Sequence, residues 1–381
     1  ACDRIMQQVL IHVVPLFFAL YAYVSLYSKT KAHPVIKAIV LVLILFSSQY
    51  PAFCRSHFMG YGHSIPHFGI VLYCWLFATQ LLMILFGFGK DLVAVLYRLK
   101  TRKPLPHPTT TGVCLTTAAM ALAAWGSYAA LSQPPIYRLD ITIKNLPQAF
   151  DGFTIAQLSD IHASPLLDRN RLVKVVERTN ALHPDLIAIT GDIVDGKTEA
   201  RLRDVAPLAD LVAPYGVFGI EGNHEHYAAY EAWMQVLPTL NIDMLFNEHR
   251  FIQKDGSRIA LAGITDPMAH RYHRSEPNVA KAIEGIPENM PIILLSHQVK
   301  YTNDYAQYPI ALQLSGHTHG GQILGMHWLA QFLNKGFVKD YYRVGDLQLY
   351  VSRGTGLWYG FPIRLGISSE ITLITLKASP N

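Results

Sequence analysis

Apolar residues are spread unevenly along this chain, and the unevenness divides it in two. Four long apolar runs come first: Val9–Tyr27, Val35–Phe53, Phe68–Phe88 and Val113–Leu131. About 20 such residues in helical form cross the hydrocarbon core of a bilayer, so the runs predict four transmembrane helices. Ser47, Ser48 and Gln49 interrupt the second run, and Lys37 must snorkel from its end. A cleaved signal peptide would account for one run, not four. Four buried core helices in succession would show charged faces, which these runs lack.

After about residue 135 the pattern changes to short apolar runs separated by amphipathic stretches. Thr154–Leu158, Leu186–Ile189, Val217–Ile220, Ile292–Leu295 and Ile310–Leu314 read as strands. Arg138–Lys144 alternates apolar and polar residues, as a half-exposed strand does. Leu347–Ser352 and Glu370–Lys377 read as closing strands. Lys254-Asp255-Gly256-Ser257 predicts a hairpin turn between Arg250–Gln253 and Arg258–Ala262. Asp168 is a candidate cap for a helix running to about Leu182, with Leu172, Val175 and Val176 on its inner side. A second helix is predicted over Glu199–Leu211. The expected organisation is an all-α transmembrane domain over 1–134 and an α/β domain over 135–381, without internal repeats.

The chemistry sits where the strands end. Ser159-Asp160-Ile161-His162, Thr190-Gly191-Asp192, Glu221-Gly222-Asn223-His224-Glu225, Leu295-Ser296-His297-Gln298 and Ser315-Gly316-His317-Thr318-His319 each follow a strand-like run. Five polar clusters at strand C-termini predict one site along one edge of a layered sheet. Carboxylates and imidazoles suit Mn, Zn or Fe. A carboxylate shared by two ions holds them about 3.5–4 Å apart, lowers the pKa of a bridging water and clamps phosphate oxygens. A lone His beside a strand is usually structural, and His183, His249, His270, His273 and His327 are read that way. His226 is open between a supporting role and helix surface.

The ordered set Asp-x-His, Gly-Asp, Gly-Asn-His-Glu, His, Gly-His-x-His resembles that of the calcineurin-like metallophosphoesterases over roughly residues 150–376. Gly316-His317-Thr318-His319-Gly320-Gly321-Gln322, with Leu295-Ser296-His297-Gln298 before it and Arg353-Gly354-Thr355-Gly356 after it, is similar to a bacterial membrane-associated branch of that family. The resemblance implies a four-layer α/β/β/α sandwich and two divalent metal ions. By motif, Asp160, His162 and His319 would hold the first ion, Asp192 would bridge, and Asn223, His297 and His317 would complete the second. His224 would face the phosphate and protonate the leaving oxygen. No motif position is substituted, which favours a hydrolase of phosphate esters or pyrophosphates over a non-catalytic metal-binding scaffold. The resemblance also touches nucleotide–lipid pyrophosphatases of lipid A synthesis, whose substrates are cytoplasmic.

Composition bears on location. The chain is 51% hydrophobic and 15% charged, with a net charge of +5. Ten Lys/Arg face two Asp/Glu in residues 1–134, whereas the remainder is mildly acidic. The basic balance therefore belongs to the membrane part, and a nucleic-acid-binding face is not indicated. Lys29, Lys31 and Lys37 flank the first connection; Lys90, Arg98, Lys100, Arg102 and Lys103 crowd the third. Cytoplasmic loops collect such residues. The pattern predicts a multi-pass membrane protein with an extracytoplasmic α/β domain, and the resemblance to a bacterial branch implies the bacterial inner membrane. Cys2, Cys54, Cys74 and Cys114 all precede residue 135, so the site uses no thiolate.

Two apolar stretches lie close in sequence to the site: Ile323–Leu333 and Leu357–Pro362. They either fill the core or form a rim, with Trp328 and Phe332 exposed to the acyl or prenyl chain of a phosphorylated lipid. Arg353 and Arg364 are candidates for gripping a second phosphate, or form ordinary ion pairs. A broad-specificity phosphodiesterase acting on soluble substrates is the alternative.

Overall fold

The computed structural model describes residues 9–59 and 65–379, so Cys2 and Arg4 lie outside the described residues. The chain forms two compact units. One contains the helices of the first 130 residues together with the distant segment Tyr359–Leu365. The other contains Leu131–Trp358 and the C-terminal strand.

In the helical unit, α1 (Val14–Tyr27) continues a π-helical turn at Val9–Val13. The second apolar run is divided into α2 (Pro34–Ser47) and α3 (Tyr50–His57). The division falls at Ser48-Gln49, where polar residues and the following Pro51 interrupt the helical ladder. Next come α4 (His67–Thr101) and α5 (Pro108–Leu131). Four helical stretches are long and apolar enough to cross a membrane. One expectation is corrected: the basic residues assigned to the third connection are not all in a loop. The 35 residues of α4 carry Lys90, Arg98 and Lys100 on the helix itself. At about 1.5 Å per residue it exceeds the roughly 30 Å hydrocarbon core, so its basic end extends a span rather than linking two.

Tyr359–Leu365 is stitched into this unit. Tyr50 Oη donates to the Tyr359 carbonyl at 3.0 Å, and Arg364 N–H donates to the Gly126 carbonyl at 3.0 Å. Gly126 allows the approach, because a Cβ there would lie 3.1 Å from both Ile363 and Leu365.

The α/β unit is built on two six-stranded sheets. The first has the order β1 (Ile136–Ile143), β12 (Ile371–Ala378), β2 (Thr154–Leu158), β3 (Leu186–Thr190), β4 (Val217–Ile220), β5 (Asp243–Met244). The second has β10 (Asp340–Val344), β11 (Leu347–Val351), β9 (Leu312–Ser315), β8 (Ile292–Leu295), β7 (Ser257–Gly263), β6 (Glu248–Lys254). Strands buried on both faces need apolar residues at consecutive positions, which is why the inner strands β3, β4 and β8 read as apolar runs, whereas the edge strands β1, β6 and β10 carry polar, partly exposed residues. Ile155, Leu186 and Ala188 meet Leu261, Ile293 and Leu312 of the second sheet. Their neighbours Ala156, Ile187 and Ile189 face Leu172, Val175 and Val176 of α6 (Arg169–Asn180). On the far side Ile292 and Leu294 pack with Val279, Ala282 and Tyr305, which belong to single helical turns. The result is the expected α/β/β/α layering.

Local signals account for the connections. Asp168 caps α6 by accepting from Arg171 N–H at 3.2 Å. The predicted helix over Glu199–Leu211 is instead α7 (Thr198–Val205) followed by a 3₁₀ turn, Ala206–Asp210. Pro207 removes an amide donor there. Another helix, α8 (Tyr230–Val236), follows β4. The β6–β7 hairpin closes over Asp255-Gly256, both at positive φ (47° and 76°), the backbone demanded by a two-residue turn.

Candidate metal centre

β2, β3 and β4 run parallel in one sheet, and β8 and β9 run parallel in the other. Their C-terminal ends carry all five polar clusters. The site therefore lies across the ends of two packed sheets, not along one sheet edge.

Five of the proposed ligands sit on backbone with positive φ: Asp160 (51°), His162 (48°), Asp192 (52°), His317 (73°) and His319 (49°). Non-glycine residues there cost free energy that the surrounding fold must supply, and they concentrate at functional sites. Two glycines admit the crowding. A Cβ on Gly222 would collide with Asp192, and one on Gly316 with Ser159 and Asp160.

The side chains converge in three overlapping groups: Asp160, His162 and His319; His162, Asp192 and His224; Asp192, His297 and His317. Asp192 belongs to two of them. His162 Nε2 lies 3.0 Å from His319 Nε2 and 3.7 Å from Asp192 Oδ2. His319 Nε2 lies 3.4 Å from Asp160 Oδ1. On the other side, His297 Nε2 is 3.2 Å from both Asp192 Oδ2 and Asn223 Oδ1.

His297 Nδ1 must donate to the Thr190 carbonyl at 2.7 Å, since a carbonyl only accepts. Neutral His297 then presents a lone pair at Nε2 to a carboxylate oxygen and an amide oxygen. Three acceptors facing one another call for a cation. His162 repeats the arrangement: its Nδ1 meets Asp195 at 3.1 Å, and its Nε2 faces His319. Orienting an imidazole ligand through its other nitrogen is how metal sites fix ring and tautomer. The donor set fits divalent metal ions.

Electrostatics agree. Burial raises Asp192, but His297, His224 and His162 outweigh it and hold it well below the usual carboxylate range. Burial lowers His297, but Asp192 and Asp160 more than reverse that, holding it well above the ordinary imidazole value. His224 is pushed up to about 9 because Asp192 and Asp195 outweigh its burial. His317 falls to about 3 through burial and the nearby His297. Without cations, protons on His297 and His224 offset the buried carboxylates.

The calcineurin-like phosphoesterase profile matches residues 153–321, the stretch that holds all these groups. A metallophosphoesterase of Helicobacter pylori is 30% identical over 84% of this chain and 86% of its own length. The metallophosphoesterase YkuE of Bacillus subtilis is 34% identical over 69% of this chain and 94% of its own length. This chain belongs to the metallophosphoesterase family. A transmembrane protein with metallophosphoesterase domain from Danio rerio is 38% identical over 67% of this chain. The chain spans 60% of that relative's length.

Some residues of this metallophosphoesterase were not singled out from sequence. Asp195, fully buried, meets Nδ1 of both His162 and His224 and is held down to about 2 because those imidazoles outweigh its burial. The only sequence signal is its place in Gly191-Asp192-x-x-Asp195. The buried Glu225 carboxylate accepts from the backbone amides of Gly222 (2.6 Å), Ile193 (2.7 Å), Asp192 (3.1 Å) and Val194 (3.2 Å), stapling the loops after β3 and β4 together. His226 is not helix surface. It is buried, with Nε2 3.1 Å from Glu221 and Nδ1 3.1 Å from Arg274.

The substrate candidates differ in their surroundings. Arg353 donates to Asp340 and lies 3.5 Å from Glu370. Arg364 is buried within the helical unit's share of the chain. Trp328 and Phe332 are 69% and 80% exposed, so they do not fill the core.

Proposed function

We propose that the chain is a membrane-anchored, metal-dependent phosphoric ester hydrolase acting on a lipid phosphate or pyrophosphate. The observation that carries the hydrolase reading is the set of buried acceptors facing one another, with Asp192 shared between groups. Asp160, His162 and His319 would hold one cation and Asn223, His297 and His317 the other, with Asp192 shared between them. Bound divalent ions supply an activated water and Lewis-acid stabilisation of phosphate oxygens. The protein's own part is to fix these donors and to place a proton. His224 Nε2 stands 4.0 Å from Asp192 Oδ2 while Asp195 grips its Nδ1 at 2.5 Å. A protonated imidazole so placed can donate to a departing alkoxide.

Two features support the lipid assignment. The apolar segment containing Trp328 and Phe332 begins within a few residues of His319, and the chain carries four candidate membrane spans. With the first connection basic, the α/β unit faces the extracytoplasmic side and meets lipid phosphates there. Screening membrane-lipid phosphates with the metal-loaded protein tests this. Replacing Trp328 and Phe332 with Ser should depress turnover of a long-chain lipid phosphate and spare a small soluble ester, because only the former uses apolar contacts. Equal effects on both would leave a phosphodiesterase of soluble substrates.

A further inference from the structure

The segment after the last ligand loop folds as α9 (Met326–Leu333), and its amphipathicity is inverted. His327, Gln331 and the following Asn334, spaced along one helical face, are only partly exposed. Gln331 Nε2 donates to the Gly336 carbonyl at 2.9 Å, Asn334 Nδ2 donates to the Ala330 carbonyl at 2.9 Å, and His327 Nδ1 accepts from Gly325 N–H at 2.9 Å. The opposite face presents Trp328, Leu329, Phe332 and Leu333 outward, with Leu324 beside them; all five are exposed. Helices on the surface of a soluble domain do the reverse. An apolar surface this continuous marks an interaction site.

Charge and side-chain type identify what covers it. No Asp or Glu occurs between Asp304 and Asp340, whereas Lys335 and Lys339 close the segment and Lys335 is exposed. Exposed Trp and Phe flanked by Lys suit the interface between acyl chains and headgroups, where an indole tolerates both apolar and polar surroundings. A bilayer is available to this chain through its candidate spans.

We propose that α9 is an interfacial anchor, lying in the lipid bilayer surface with Trp328, Leu329, Phe332 and Leu333 immersed. Metal ligand His319 is seven residues before Met326, so the anchor holds the ligand loop at the headgroup level. The inference rests on the exposure of α9 and not on the substrate assignment. The test is a nitroxide at Phe332→Cys in the full chain, reconstituted in nanodiscs of phosphatidylcholine and phosphatidylglycerol without substrate. Cys2 and Cys114 are replaced by Ser, and buried Cys54 and Cys74 are retained. Labels at Val42→Cys on a span and Arg203→Cys on α7, both exposed positions, give the lipid and water references. The nitroxide at 332 should collide severalfold more with oxygen, relative to a nickel chelate, than the one at 203, and approach that at 42. Collision ratios equal at 332 and 203 would overturn the anchor. So would a short dipolar distance between two labels at 332, which would mean a second copy covers the helix, or immersion that appears only when a lipid phosphate is added. The readout needs no turnover, so it can fail or succeed independently of the proposed activity.

Discussion

The Nδ1 atom of His224 lies 2.5 Å from Oδ1 of Asp195, and both side chains are buried. That contact makes the ionisation of His224 depend on a residue that is not itself a proposed ligand.

Asp195→Asn removes one of the charges that raise His224. An imidazole acting as proton donor works below its pKa and fails as pH rises through it. With a negative neighbour lost, that pKa falls, so the alkaline limb of the kcat profile should move to lower pH. A kcat–pH profile on a substrate with a poor leaving group checks this. An unmoved limb would show that Asp195 does not act through His224.

His224→Ala should keep the metals and lower kcat by about 10²–10⁴-fold on a poor leaving group, the usual scale of general acid catalysis. A nitrophenyl ester, whose leaving group needs no proton, should lose far less. Equal losses on both would argue against proton donation.

Gly316→Ala places a methyl group against Ser159 and the Asp160 carboxylate. Overpacking of this kind costs about 1–3 kcal/mol, and Asp160 should shift from its ligand position. Thermal melting should show a lower midpoint, and elemental analysis a lower metal content. Retention of both would mean the loop has room that its geometry denies.

Metal retention should weaken as pH falls. Without cations, His297 and His224 bind protons more readily than a free imidazole. Protons and cations therefore compete for the same negative charge, and acid favours the proton. Equilibrium dialysis across pH 5 to 8 (a range of about three pH units around the ordinary imidazole pKa) should show affinity rising with pH. A flat dependence would place the cations away from these imidazoles.

The strand ends were legible because strands buried between layers must be apolar on both faces, so each polar cluster after one stands out. Thr154–Leu158 and Ile292–Leu295 appear in the structure with the same bounds. Asp195 was not legible: an isolated carboxylate three residues past Asp192 looks like any loop acid, and only folding turns it toward His162. The orientation of α9 was equally hidden. Its sequence pattern is that of an ordinary amphipathic helix, and which face turns outward is a tertiary fact. Tyr359–Leu365 shows the same limit, since an apolar segment does not announce which unit it joins. The length of α4 was missed because Lys90 and Asp91 look like a span terminus, whereas their backbone stays helical to Thr101.

Metal content tests the two-ion reading most directly. Protein purified with its native metals and analysed by inductively coupled plasma mass spectrometry should carry two divalent ions per chain at full activity. Asp192→Asn, which alters the carboxylate shared by two ligand groups, should lose both ions and turnover together. One ion or none in fully active protein, or an Asp192→Asn variant that keeps both ions and its turnover, would contradict a site in which Asp192 joins two metals.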